Sequence, residues 1–246
     1  LRDGRWKFMI NPDGSEAQLY DLKADEGESA NLLSKQPVRA AAMAAQISEW
    51  ADDVGFSFDN QAALTAPAST IAILASNQLL RFVNHGVKGD TGSLQLDGKS
   101  WLDLPAFRAP KVAGGRSLQI KGTIRPTSDS GVVFSHGSNR AGYSVYLDKG
   151  RLCFAACVNK ERTVVRSPDV ITGSASFEAK WNANGEVYLK VDGKLVDKAK
   201  AGIIQKEPGD SIQIGADMVQ AVGDYKTPNH FSGSIETLTF KYPNGN

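Results

Sequence analysis

Residues 187–196 read VYLKVDGKLV. Two short alternating runs flank Asp192-Gly193. An Asp-Gly pair suits a two-residue hairpin loop, because both central positions take positive φ and glycine does so without steric cost. The stretch predicts antiparallel strands over Val187–Val191 and Lys194–Ala199.

The same punctuation extends outward. Asp148-Lys149-Gly150 separates Tyr143–Leu147 from Arg151–Val158, and Asn182-Ala183-Asn184-Gly185 separates Ser176–Trp181 from Val187. Further short runs are Ile71–Ala75, Leu79–Val83, Ser93–Leu96, Leu118–Arg125, Val132–His136, Thr163–Arg166, Ser211–Ile214 and Ser234–Tyr242. Many short strands with no helical period between them predict a mainly β chain, folded as an antiparallel β-sandwich jelly roll, and argue against parallel α/β.

Before residue 57 the pattern differs. Trp6–Ile10 and Gln18–Leu22 flank the turn Asn11-Pro12-Asp13-Gly14, where Pro12 presets a turn dihedral. Residues 36–54 carry the one helical period: Met43, Ile47, Trp50 and Val54 form an apolar stripe. Ser34 is the candidate N-cap, Pro37 stands near the start and Gly55 ends the helix. The reading is a small α+β hairpin-plus-helix unit at 1–56, a linker at 57–70 and the sandwich at 71–246. A unit of about 55 residues is marginal alone. Its stripe is therefore expected to dock on the sandwich or to drive self-association.

Charged residues are 22% and the net charge is +1, so no strong overall field favours nucleic acid or a membrane surface. Residues 1–60 hold 6 Lys+Arg and 11 Asp+Glu, net −5; the remainder holds 22 and 16, net +6. Those positive charges are scattered along several strands, so the sequence alone does not point to a polyanion. No run reaches the ~20 apolar residues of a membrane span, and no signal peptide pattern opens the chain. The two cysteines, Cys153 and Cys157, are four residues apart. In a strand their Cα atoms stand roughly 13 Å apart, beyond the about 7 Å that a disulfide tolerates. They read as small buried hydrophobes on one face.

Two resemblances follow from these segments. The pattern GRWKFMINP…AQLYDLKADEGESANL in Leu1–Leu33 resembles the end of a type I, formylglycine-dependent sulfatase, where a "GxxKLI…ELYDLxxDPxExxNL" segment closes the C-terminal subdomain. From about residue 79 to 242 the order of motifs is similar to the concanavalin A-like, laminin-G-like jelly roll. Its carriers are GSLQLDGKSWLDLP at Gly92–Pro105, SVYLDKGRLCFAA, VYLKVDGKLV and FSGSIETLTFKY. The first resemblance implies a periplasmic or extracellular parent that hydrolyses sulfate esters, using a formylglycine and a divalent cation. Cys153 is followed by Phe-Ala-Ala and Cys157 by Val-Asn-Lys, so neither supplies the Cys-x-Pro-x-Arg segment of such a site. The catalytic sulfatase domain is thus expected outside this chain as its covalent partner. Lys7 matches a basic residue of the family's C-terminal strand and reads as structural.

Other chemistry is not spelled out. His85, His136 and His230 are far apart, Ser135-His136-Gly137-Ser138 lacks the nucleophile-elbow frame, and Asp52-Asp53 point apart. Glu178, Glu186 and Glu236 do not reproduce the Glu-x-Asp-x-x-Glu strand of a jelly-roll glycoside hydrolase. The laminin-G-like resemblance implies room for one calcium ion on rim carboxylates, with Asp97, Asp103, Asp217 and Asp224 as candidates; the plain alternative is turn aspartates. For carbohydrate the best loop is GDYKTPNHF at Gly223–Phe231: Tyr225 to stack on a sugar, Asp224, Asn229 and His230 for hydrogen bonds, Lys226 for an anionic group. Trp101 and Trp181 read as packing. Expected partners are a polysaccharide, sulfated or not. The alternatives are a structural or protein-interaction module and a jelly-roll hydrolase or lyase.

Overall fold

The computed structural model describes residues 1–10, 17–33, 35–36, 39–40, 42–44, 46–47, 50, 70–72, 82–90, 93–104, 109 and 112–241. The turn at 11–14, Ser34, Pro37, Asp52, Asp53, Val54, Gly55 and the linker at 57–69 lie outside the described residues.

The chain forms the antiparallel jelly-roll sandwich that the alternation demands. Its strands are β1 (Arg2–Asp3), β2 (Trp6–Met9), β3 (Gln18–Asp21), β4 (Thr70–Ala72), β5 (Val83–His85), β6 (Lys88–Asp90) and β7 (Ser93–Asp97). Then come β8 (Trp101–Leu104), β9 (Leu118–Pro126), β10 (Gly131–Gly137), β11 (Ala141–Asp148), β12 (Arg151–Val158), β13 (Glu161–Val170) and β14 (Ala175–Trp181). The last are β15 (Glu186–Val191), β16 (Lys194–Lys200), β17 (Ile212–Ile214), β18 (Ala216–Asp217), β19 (Asn229–His230) and β20 (Ser232–Lys241). The front sheet runs β13-β12-β11-β10-β17-β8-β5, with β18 and β19 beside β10. The back sheet runs β16-β15-β14-β9-β20-β7-β6, with β4 on β20.

Alternation fixes what faces the core. Leu118, Ile120 and Ile124 of β9 and Phe177, Ala179 and Trp181 of β14 point inward from the back sheet, against Phe134, Tyr143, Val145, Phe154 and Ile214 of the front sheet. Phe134 and Tyr143 of the front sheet meet Phe240 of the back sheet, with centroids 5.8 to 6.0 Å apart. The Tyr143 hydroxyl, buried among these rings, pairs with His136 Nδ1 at 2.8 Å. Gly122 is required where it stands, because a Cβ there would lie 2.6 Å from the Phe177 ring.

Strand β12 is buried on both faces, which explains its unbroken LCFAAC. Cys153 and Cys157 are buried and free, on the side away from the main core. The edge strand β13 is longer than the predicted Thr163–Arg166 and includes Pro168. An edge tolerates a missing N–H. Trp101–Leu104, which the runs did not yield, is a strand paired with β17 and β5; all four of its residues are buried, which erases alternation.

The N-terminal unit makes its own three-stranded sheet, β1-β2-β3, and helical residues at 39–40, 42–44, 46–47 and 50. The expectation that the stripe must find a surface elsewhere is corrected here. Met43, Ala40 and Ala44 pack on Phe8 and Leu19 of the hairpin, with Ile47 at the margin. The hairpin supplies the partner because Phe8 and Leu19, cross-strand neighbours in register, both turn toward the helix. Trp50 falls off the covered arc and is 56% exposed. Lys7 Nζ sits 2.7 Å from both Glu28 oxygens, a structural pairing within the unit. Trp6 is flanked by the Arg5 and Arg39 guanidinium groups, 5.5 and 4.7 Å from its ring.

Candidate functional site

The outer side of the front sheet is covered by the segment running from β18 to β19. Val222 and Tyr225 pack on Val132, Tyr146, Cys153, Ala155 and Cys157, a cluster separate from the main core. The small side chains of β12 leave the room that this segment fills. Tyr225 meets Tyr146 edge-on with centroids 4.8 Å apart. Two hydrogen bonds pin it: the Tyr225 hydroxyl donates to Asp217 Oδ2 at 2.6 Å, and the Asp224 backbone N–H donates to the Tyr146 hydroxyl at 3.1 Å.

Beneath it lies a buried polar lane. Gln213 on β17 donates Nε2 to Asp103 Oδ1 at 3.3 Å and accepts the Met218 backbone N–H at 2.8 Å. It thereby ties β8 to the start of the covering segment. A small polar cavity beside it is lined by Ser135, Asp210, Ser211, Gln213, Asp217 and Val219. Burial pushes the carboxyls of Asp103 and Asp217 up to about 6, since desolvation disfavours the charged form.

Raised carboxyl values mean that the stabilising contribution is present below about pH 4 and lost as pH rises through about 6. Asp103→Asn removes one such penalty while keeping the acceptor for Gln213. The variant is expected to be more stable than the parent by about 3 kcal/mol at pH 7.5, and by roughly half that at pH 5. Thermal melts of both proteins at the two values check it. The comparison must be between variants, because His85 runs the opposite way. Burial lowers its imidazole to about 4, so its contribution is lost as pH falls below about 6.5.

At the solvent rim two guanidinium groups converge on one carboxylate. Arg162 Nη1 lies 2.9 Å from Asp224 Oδ1, and Arg166 Nη2 lies 3.6 Å from Asp224 Oδ2. Arg162 also donates Nη2 to the Ala221 carbonyl at 3.3 Å. Both arginines come from β13 at positions four apart, hence on one face. Asp224 and Lys226 are exposed.

The predicted site residues separate into four places. Asp224, Tyr225 and Lys226 share the covering segment, with Asp224 and Lys226 outward and the Tyr225 hydroxyl inward. Asn229 and His230 form β19, where Asn229 lies opposite Asp217. His230 packs against the edge of Trp101, centroids 5.5 Å apart, and His85 stacks on Trp101 at 4.3 Å. Asp97 closes its own turn by accepting the backbone N–H groups of Lys99 and Ser100. Asp103 and Asp217 sit in strands and belong to the buried lane. Among the described residues no three His, Cys, Asp or Glu side chains group as a metal site. Sequence reasoning missed Arg162, Arg166, Tyr146 and Gln213; the Arg-x-x-x-Arg spacing on a strand was the one signal for the first two.

No family model matches the chain, and no curated protein matches it. Solved structures similar to it include the native heptameric SAP-like pentraxin from Limulus polyphemus, at 21% identity and TM-score 0.40, covering 50% of this chain and 63% of that one. The Ruminococcus gnavus IT-sialidase CBM40 bound to alpha2,3 sialyllactose is 17% identical, TM-score 0.47, covering 61% and 89%. Mouse laminin alpha1 chain domains LG4-5 are 17% identical, TM-score 0.45, covering 60% and 40%. The chain thus spans less than two thirds of the pentraxin and laminin chains. These are concanavalin A/laminin-G-like β-sandwich domains.

Proposed function

We propose that the sandwich is a non-catalytic carbohydrate-binding module whose site is the rim of the segment covering the front sheet. The observation that supports this most is the Arg162–Asp224–Arg166 cluster, held at the surface by a loop that Tyr146 and Asp217 lock in place. Fixed donors and acceptors on a rigid loop suit recognition of a sugar's hydroxyl and acidic groups. Lys226 and Asn229 extend the polar surface. In the same reading the unit at 1–56 is the closing subdomain of an exported sulfatase, on the strength of the Leu1–Leu33 pattern. The tether raises the effective concentration of glycan at the enzyme. The domain division at 57–70 belongs to this proposal.

A glycan array probed with the purified chain tests the module. Binding to at least one carbohydrate, reduced about tenfold or more by Arg162→Ala, is expected; removing one hydrogen-bonded charge is worth about that much. Silence across neutral and acidic glycans would favour a structural role. The same preparation should show no turnover of an aryl sulfate, and genuine turnover would refute the non-catalytic assignment.

A further inference from the structure

The lysines that are scattered in sequence converge on the outer face of the back sheet. Antiparallel register brings Lys241, Gln119, Lys180, Tyr188 and Lys198 into one cross-strand row. The next row is Thr239, Lys121, Glu178, Lys190 and Leu195. Residues paired across strands share a face. All of them alternate with the inward core positions Ile120, Phe177, Ala179, Val187 and Leu189. The two rows therefore hold five lysines to one carboxylate. Glu178 is engaged by Lys121 at 3.1 Å, by Lys190 at 3.6 Å and by the Tyr188 hydroxyl at 2.7 Å. Lys180, Lys198 and Lys241 remain as a line of charges, each two strands from the next, roughly 10 Å apart.

We infer that this face is a docking surface for a linear anionic polysaccharide, laid across the strands along the Lys241–Lys180–Lys198 row. It shares only the ligand class with the reading above, not the site. A sheet face with cations at a regular spacing matches an extended chain whose acidic groups recur at intervals. The Gln119 amide and the Thr239 hydroxyl in the same two rows suit sugar hydroxyls. Single-stranded nucleic acid needs exposed stacking rings. The one ring in the two rows, Tyr188, is tied to Glu178 and lies within cation–π range of Lys180 and Lys190. Insertion into a membrane needs apolar residues, and the rows offer one, Leu195, at the sheet edge.

The test is titration of the whole chain with fluorescent dextran sulfate at several salt concentrations. The triple variant Lys180→Gln, Lys198→Gln, Lys241→Gln is expected to weaken binding about tenfold or more at low salt. It should also lower the slope of log Kd against log salt by about 2, because fewer counterions are released. A charge-matched control, Lys23→Gln, Lys99→Gln, Lys149→Gln, should change binding by less than about threefold. Equal losses in both variants, or no loss in the first, would overturn the proposal. So would tighter binding to phosphatidylserine vesicles or single-stranded DNA than to dextran sulfate. If the triple variant melts early, Lys180→Glu alone reports instead. Arg162→Ala should leave this binding intact, so failure here and failure of the rim site are read separately.

Discussion

Replacing Gly223 by alanine is expected to undock the segment over the front sheet and abolish glycan binding at the rim. A Cβ at this position would stand 2.5 Å from the Tyr146 ring and 2.5 Å from the Tyr225 ring. Tyr146 cannot retreat: it is fully buried and its hydroxyl accepts the Asp224 N–H. Overpacking of this kind costs about 1–3 kcal/mol. Here the strain is relieved by peeling the loop away, which also breaks the Tyr225–Asp217 bond and disperses Arg162, Arg166 and Asp224. Hydrogen exchange should therefore quicken at residues 218–226 while the core strands stay protected. Wild-type glycan affinity in Gly223→Ala would show that the rim does not depend on the docked loop.

The second large effect is on the fold. Phe134→Ala is expected to destabilise the protein by about 3–5 kcal/mol, the usual range for emptying a buried aromatic site. Phe134 is fully buried on the central strand β10; its ring stacks on Tyr143 and meets Phe240 of the back sheet at a tilt, so it links the two sheets. A domain is stable by only about 5–15 kcal/mol in total, so much of the margin would go. Phe134→Leu should lose far less, because most of the volume is kept. Urea denaturation of the three proteins measures this. An alanine variant within about 1 kcal/mol of the parent would mean that the site collapses around the gap.

The strands of the back sheet were legible because one face meets solvent. In Leu118–Arg125 and Ser176–Trp181 the alternation follows burial residue by residue. Trp101–Leu104 was obscured because both of its faces are covered, so its one polar residue, Asp103, is as buried as its neighbours and marks no solvent face. The candidate rim was half legible. Gly223–Phe231 stood out as a polar aromatic loop, but Arg162 and Arg166 lie about 60 residues earlier and reach Asp224 only through the fold. Asp103 and Asp217 looked like rim aspartates; their burial comes from Tyr225 and Gln213, which no local pattern announces.

Sequence by itself determined the strand periods, the Asp192-Gly193 hairpin and the lack of a bond between Cys153 and Cys157. These rest on local rules: turn chemistry, alternation and the reach of a strand. Tertiary structure alone decided where charge accumulates. Lys180, Lys198 and Lys241 are unrelated in sequence, and the positive charges beyond residue 60 looked dispersed. Antiparallel register sets residues of different strands side by side on one face, so a scatter along the chain becomes a line across the sheet.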